Sequence, residues 1–247
     1  MWPYHAELLE TPVPRYTSFP TAAEFAPGID ATAYAAAIAA ADGDVSLYVH
    51  IPFCDKICWY CGCNTAAANR PQRLTSYLDA LHREIALVAA LLPARARVGR
   101  IAFGGGSPNA LHPDDFLRLF DALALHFPLA DPVVSIELDP RTLGPAWGPV
   151  VAAIGATRAS LGVQTFSAAL QQAIGRVQPQ WMIEDGVALL RAAGVTSLNL
   201  DLMYGLPGQT RADLAASLDR AARFAADRIA LFGYAHVPQL IPRQQRI

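Results

Sequence analysis

The sequence predicts an α/β fold centred on a parallel sheet of six strands. Strand-like and helix-like segments alternate from about residue 45 onward, and every strand but the last is followed by a helix. Repeated units of this kind lay their strands parallel through right-handed crossovers. The length of 247 residues also suits one large core, since α/β barrels run to about 200–250 residues as a single domain. Periodicity leaves two closures open, a doubly wound sheet or a sheet curled into a barrel.

Residues 46–51 form a short β-rich apolar run ended by Pro52. Residues 74–92 carry Tyr77, Leu78, Leu81, Ile85, Val88 and Leu92 at helical spacing, and Pro93 stops them. Residues 100–103 are a strand running into Gly104-Gly105-Gly106. His112-Pro113-Asp114-Asp115 opens a helix to about residue 126, with proline in the first turn and acids at the positive end. A strand over 133–138, a helix over 145–154 and a strand over 158–163 come next. Helices over 167–175 and 179–193 follow, the second closed by Gly194. A strand over 197–203, a helix over 211–225 and a strand over 228–234 complete the set. The first 43 residues stand apart as a proline-rich arm with one Ala-rich helix near 31–41. The expected division is therefore an arm over 1–43 and a sheet domain over 44–247. Residues 237–247 read as a loop that stops without a capping element.

Hydrophobic residues make up 53% of the chain and charged residues 16%, which excludes disorder. A net charge of −2 leaves no electrostatic footprint for nucleic acid or an anionic membrane. The longest apolar run, residues 85–92, falls short of the roughly 18 residues that span a bilayer. Residues 1–10 have no basic stretch leading into an apolar one, so no secretory signal is visible and a reducing cytoplasm is expected.

All four cysteines lie between Cys54 and Cys63. Disulfides staple distant segments, so this clustering points to a metal site. Cys54, Cys58 and Cys61 stand at CxxxCxxC spacing on a loop after a strand. Three such thiolates can wrap one face of a cubane iron–sulfur cluster and leave a fourth iron without a cysteine. Cys63, two residues past Cys61, cannot easily reach around the same cube. Zinc is the alternative, but four-thiolate zinc sites usually pair two CxxC knuckles, and a second knuckle is missing.

The glycine run 104–106 ends a strand, where backbone can approach a ligand closely and N–H groups are free to donate. A plain tight turn is its alternative. Glu137, in Ser135-Ile136-Glu137-Leu138-Asp139-Pro140, ends the third strand, the edge at which parallel α/β sheets place their sites. A solvated rim carboxylate is the other reading. Tyr48 sits in an apolar strand and is ordinarily core, while His50 and His236 are ordinarily structural.

On these motifs the chain resembles the radical S-adenosylmethionine (SAM) enzymes, and among them the oxygen-independent coproporphyrinogen III oxidases. The resemblance runs from Pro14-Arg15-Tyr16-Thr17-Ser18-Phe19-Pro20-Thr21-Ala22 through Tyr48-Val49-His50-Ile51-Pro52-Phe53-Cys54 to Phe232-Gly233-Tyr234-Ala235-His236-Val237-Pro238. The cysteine spacing specifies the superfamily, and the 14–22 arm and Cys63 narrow it. This resemblance implies a partial (β/α)6 radical SAM barrel with an N-terminal extension. It implies that Cys54, Cys58 and Cys61 ligate a [4Fe–4S] cluster whose open iron chelates SAM, with Cys63 nearby but off the iron. An electron from the cluster would then yield methionine and a 5′-deoxyadenosyl radical.

By the same resemblance, Gly105, Gly106 and Ser107 match a GGGTP motif that binds the SAM amino group, with serine for threonine. Glu137 matches a contact to the ribose, Tyr48 flanks that SAM, and Tyr60 stands where an aromatic residue's backbone meets a ligand. Gln164, Arg176, Asp201 and Ala235 match positions contacting a second SAM. Arg176 lies in an interhelical turn, where a solvated surface charge is the alternative. Arg15, Tyr16 and Thr17 belong to an arm that helps close the family's active site, or merely pack on the barrel.

The implied reaction is oxidative decarboxylation of two propionates of coproporphyrinogen III to vinyls, giving protoporphyrinogen IX for haem. The C–H bond beside the ring is too strong for acid–base chemistry at neutral pH, whereas a primary carbon radical can abstract the hydrogen. An electron donor such as flavodoxin or ferredoxin and a monomeric state are expected, with no nucleic acid or membrane partner. A haem-binding chaperone of the same branch is an alternative, although that relative lacks Cys63 and the arm. A haem ring-opening relative and a chain that only binds a cluster are two more. Complete family members carry a further C-terminal domain over the pocket, which residues 1–247 lack by this reading. The expectation is slow SAM cleavage uncoupled from decarboxylation.

Overall fold

The computed structural model describes residues 5–9 and 24–247. The motif over 14–22, with Arg15, Tyr16 and Thr17, lies outside them. The chain divides into two compact units, Met1–Ala37 and Ile38–Ile247. The first holds a single helical turn, α1 (Ala6–Leu9), and most of α2 (Ala31–Ala39). Asp30 begins α2 by accepting the Ala33 N–H on Oδ1 at 2.8 Å. Alanine favours helix without supplying an apolar face, and no residue of α2 is buried.

The second unit runs through β1 (Gly43–Ile51), the short β2 (Phe53–Cys54) and β3 (Ala66–Ala67), and α3 (Pro71–Leu91). Then come β4 (Ala96–Gly105), α4 (Pro113–His126), β5 (Leu129–Leu138), α5 (Trp147–Ala153) and β6 (Ala156–Gln164). The helices α6 (Ala168–Ala173) and α7 (Gln180–Ala192), β7 (Ser197–Tyr204), α8 (Arg211–Arg223) and β8 (Arg228–Gly233) complete it. Six strands form one parallel sheet in the order β1-β4-β5-β6-β7-β8.

That order decides the closure the periodicity left open. A doubly wound sheet reverses its strand order at one point, and its helices then cover both faces. Here the order never reverses, so right-handed crossovers stack the helices on one face. The sheet curls into an open half-barrel with β1 and β8 at its edges.

Alternation along the strands supplies both faces. Val49, Ile51, Ile101, Phe103, Ile136, Leu161 and Leu200 point to the helices and are buried among Phe116, Leu119, Leu123, Val151, Ile183 and Leu190. Their neighbours Tyr48, His50, Glu137, Ser160, Asn199 and Asp201 take the concave side. Three strands start three or four residues earlier than the apolar pattern indicates. Their first residues, such as Gly43, Asp44 and Arg97, join through backbone ladders (Gly43↔Ala96, Asp44↔Arg97) that side-chain periodicity does not register.

Residues 237–247 are also not the plain loop expected. Pro242–Arg246 forms a 3-10 helix, and Gln244 within it is buried. Its order comes from side-chain hydrogen bonds to distant backbone, which leave no periodic trace.

Phe103 is wholly enclosed and meets the Phe116 ring with centroids 4.8 Å apart. Replacing Phe103 by alanine should cost about 3–5 kcal/mol of stability, read from urea unfolding. A loss below about 1 kcal/mol would place Phe103 outside the core.

Candidate active site

The cysteine loop is closed at its base before any cysteine is placed. β2 and β3 pair in parallel, Phe53 with Ala66 and Cys54 with Ala67. The Ala66 N–H donates to Pro52 O at 2.7 Å and the Ala68 N–H to Cys54 O at 2.9 Å. The glycine run docks on the same base, with Gly106 N–H on Ile51 O and Ser107 N–H on Phe53 O, both at 2.8 Å. A Cβ on Gly106 would lie 2.5 Å from Phe53 O. The glycine there is therefore demanded by the protein's own backbone, whereas the sequence suggested a ligand. Gly105 adopts φ +114°, and a Cβ there would stand 2.6 Å from the His50 ring.

A cavity of about 200 Å³ opens beside this loop at the C-terminal ends of the strands. Cys54, Cys58, Cys61, Tyr60, Gly105, Gly106, Glu137, Gln164, Arg176 and Asp201 all line it, as does Cys63. Three expected residues are not in its wall. Ser107 is buried behind it, with its hydroxyl given to Asn109 Oδ1. Tyr48 is 60% exposed and hydrogen-bonded to His50 Nδ1 at 3.1 Å. Ala235 presents its carbonyl to Gln244 Nε2 at 3.1 Å.

Arg176 is buried, which removes the solvated-charge reading. Its Nη2 donates to Asp139 Oδ1 at 3.2 Å and its Nη1 to Cys58 Sγ at 3.1 Å. Arg141, which the sequence reading missed, approaches the same carboxylate from another side. Its Nη2 donates to Asp139 Oδ2 at 2.6 Å, to Lys56 O at 2.8 Å and to Cys58 Sγ at 3.2 Å. Burial pushes the Asp139 carboxyl up, but the Arg176 charge and the Arg141 contacts outweigh it and hold the group low. Two cations thus share one carboxylate and one cysteine sulfur. A signal for this network existed in Asp139-Pro140-Arg141, an Asp-Pro turn after a strand with arginine two residues on.

Across the cavity, Gln164 sits at φ +68° where β6 shifts register against β7. A left-handed residue at a bulge re-aims its side chain, and Gln164 here lines the cavity. Burial raises the Glu137 carboxyl, partly offset by a hydrogen bond from the Gly105 N–H. Burial likewise raises Asp201, against hydrogen bonds from Ser160 Oγ at 2.9 Å and Asn199 Nδ2 at 2.7 Å. Desolvated carboxylates of this kind suit hydroxyl ligands.

The thiols differ from one another. Burial pushes Cys54 up to about 12, whereas a hydrogen bond from Cys63 brings Cys61 down to about 6. Metal binding at Cys54 therefore releases a proton. Among the described residues no three His, Cys, Asp or Glu side chains close on one ion. A cubane gives each thiolate its own iron, so the spread of the three sulfurs around one cavity fits a cluster. Thr65 Oγ1, in the cavity wall and buried, has no hydrogen-bond partner. The donor set, the cavity and that open oxygen suit a cluster with a polar ligand beside it.

Fold and site together define a radical SAM protein. Residues 48–221 match the Radical SAM superfamily, and the chain belongs to it. The superfamily's cofactors are a [4Fe–4S] cluster and SAM. The chain is 42% identical over 241 residues to the oxygen-independent coproporphyrinogen III oxidase of Bradyrhizobium diazoefficiens, covering 96% of this chain and 54% of that one. Identity to the enzyme of that name from Cereibacter sphaeroides is 41% over 243 residues, covering 97% and 54%. The solved coproporphyrinogen III oxidase of Escherichia coli, described as a radical SAM enzyme, superposes with a TM-score of 0.91 at 36% identity. That match covers 99% of this chain and 56% of the other. The chain thus spans about half the length of the relatives it matches. No helix among the described residues is long and apolar enough to cross a membrane.

Exchanging Asp139 for asparagine leaves two buried guanidinium groups without their counter-ion and should cost about 3–5 kcal/mol at neutral pH. The carboxyl is held low in the fold, so its contribution is complete above the ordinary value near 4 and fades as pH falls through the folded one. Denaturant melts of both chains should converge in acid. A stability gap independent of pH would show that the charge of Asp139 is not what matters.

Proposed function

We propose that this chain is the radical-generating part of an oxygen-independent coproporphyrinogen III oxidase, acting in haem biosynthesis. Two propionate side chains of coproporphyrinogen III would each lose a hydrogen and carbon dioxide to become vinyls. One observation carries the reading. A single cavity gathers the cysteine triad, the glycine pair, Glu137, Gln164, Arg176 and Asp201, in a chain that along nearly all its own length is about 40% identical to one half of oxidases of that name.

Cys54, Cys58 and Cys61 would hold the cluster, and Gly105, Gly106, Ser107, Glu137 and Tyr48 the first SAM. Gln164, Arg176, Asp201 and Ala235 would serve the second, and the backbone of Tyr60 would meet a ligand. When bound, cluster and SAM supply an electron and a carbon radical able to take hydrogen from an unactivated C–H bond. The chain's residues orient and enclose. Glu137 near the end of β5 and Asp201 midway along β7 would accept hydroxyl hydrogen bonds. Arg141 and Arg176 donate to the Cys58 sulfur and fix its place in the cysteine loop. The concave wall, backed by a packed core, limits water near the reacting carbon.

An arm over 1–43 and a barrel over 44–247, a flavodoxin- or ferredoxin-type donor, a monomeric state and a cytoplasmic setting belong to the same reading. Cys63 and the motif over 14–22 favour the oxidase over a haem-binding chaperone, which lacks both.

Anaerobic reconstitution with iron and sulfide should give one cluster per chain, bleached by dithionite. Serine at Cys54, Cys58 or Cys61 should abolish it, because a hydroxyl replaces thiolate poorly. Serine at Cys63 should leave iron content intact. With SAM and reductant, the loaded chain should form 5′-deoxyadenosine. Iron loss on changing Cys63 alone would overturn the ligand assignment. Radical formation without any coproporphyrinogen turnover, even beside the remainder of a full-length relative, would overturn the substrate.

A further inference from the structure

Residues 237–247 have no part in the reading above, yet they lie against the cysteine loop. Inside that loop the Cys61 N–H reaches Cys58 O at 3.3 Å. The carbonyls of Lys56, Tyr60 and Cys61 are taken by side chains from elsewhere. Arg141 holds the first, and segment 237–247 holds the other two. Gln244 Nε2 donates to Tyr60 O at 3.0 Å and to Ala235 O at 3.1 Å, while its Oε1 accepts the Val237 N–H at 2.6 Å. Its side chain is thus fully used, and the residue is 1% exposed. Arg243 forks onto Cys61 O, with Nε at 2.9 Å and Nη2 at 2.5 Å. Ile241 Cδ1 stands 3.1 Å from where a Cβ on Gly62 would sit. The Arg246 guanidinium lies 5.8 Å from the Trp59 ring centroid.

These contacts converge on residues 59–62, around the third cysteine of the triad. A loop that must present three sulfurs to one cluster loses conformational freedom when it does so. Side chains that occupy its carbonyls beforehand carry part of that ordering, as outer partners do in other metal sites. Charge adds to this, since an arginine fork on a carbonyl next to a thiolate is favourable from both sides.

We propose that Gln244 and Arg243 are positioning residues for the metal centre, bracing Tyr60 and Cys61 so that the loop takes up a cluster and keeps it. The inference rests on Cys54, Cys58 and Cys61 being the cluster ligands. Gln244 is the keystone because one buried amide ties the segment to itself, to Ala235 just past β8 and to the loop. Arg243 is the second anchor, acting on the loop alone.

Gln244→Glu is the sharpest variant, nearly identical in shape. It keeps the acceptor for Val237 but removes the amide hydrogens that serve Tyr60 and Ala235. Arg243→Met removes the fork, and Arg243→Lys retains the charge with a single point donor. All would be prepared as the full chain, reconstituted anaerobically and challenged with a ferrous-iron chelator. Gln244→Glu and Arg243→Met should lose iron about tenfold faster than the parent, as expected for one lost charge-assisted or buried hydrogen bond. Arg243→Lys should fall between. The electron paramagnetic resonance signal of the reduced cluster should broaden in the same order. Urea midpoints of the unloaded Arg243 variants should match the parent, which separates bracing from general stability. Should Gln244→Glu fail to fold, the Arg243 pair decides. Release rates and spectra equal to the parent's would overturn the proposal. A parent that takes up no iron, or Cys61→Ser that keeps it, would instead overturn the ligand assignment beneath it.

Discussion

The Asp139 carboxylate, buried between two guanidinium groups, is the interaction on which the site depends. Asp139 follows β5, Arg141 lies in the turn after it, and Arg176 lies in the connection between α6 and α7. Both arginines also reach the Cys58 sulfur, so one ionic cluster ties the sheet's rim to the metal-binding loop. A buried carboxylate with two cations leaves positive charge in excess, which in an apolar surround is costly. The Cys58 sulfur is a further acceptor for both guanidinium groups. The same contacts that stabilise the fold therefore fix one sulfur of the metal-binding loop, and the structural and chemical needs of the site coincide.

The strand order sets where that cluster can form. Because the sheet never reverses, its helices cover one face, and the other face curves around a space lined with small and polar residues. Glu137, Ser160, Asn199 and Arg228 lie in one row across neighbouring strands. A flat, doubly covered sheet would bury such a row, and its charged ends, Glu137 and Arg228, would need partners within the core. In the half-barrel the row lines an open cavity.

Behind the wall, packing is tight enough to specify glycine without any ligand. Gly105 makes room for His50, and Gly106 for the Phe53 backbone. The loop that holds the cysteines is thereby pinned on one side by the glycine run and on the other by Arg243 and Gln244. Rigid support on both flanks suits a cofactor whose reactivity must be held within a fixed geometry. By contrast, Ile229, Leu231 and Phe232 of the edge strand β8 are partly exposed, and the sheet stays open there.

Much of this was legible in the sequence. Six apolar runs separated by helical patterns predict six strands, because burial against helices leaves its period in the residues themselves. The cysteine triad and the glycine run were legible too, since metal ligation and close backbone approach demand particular residue types at short spacing. What only the tertiary structure decided were relations between distant residues. Half-barrel against doubly wound sheet depends on strand order, which periodicity does not encode. The burial of Arg176 depends on Asp139, 37 positions away. The role of Gln244 depends on the carbonyl of Tyr60, 184 positions away. A hydrogen bond to a backbone carbonyl places no constraint on which residue type bears that carbonyl, so nothing in the chain's own text could announce it.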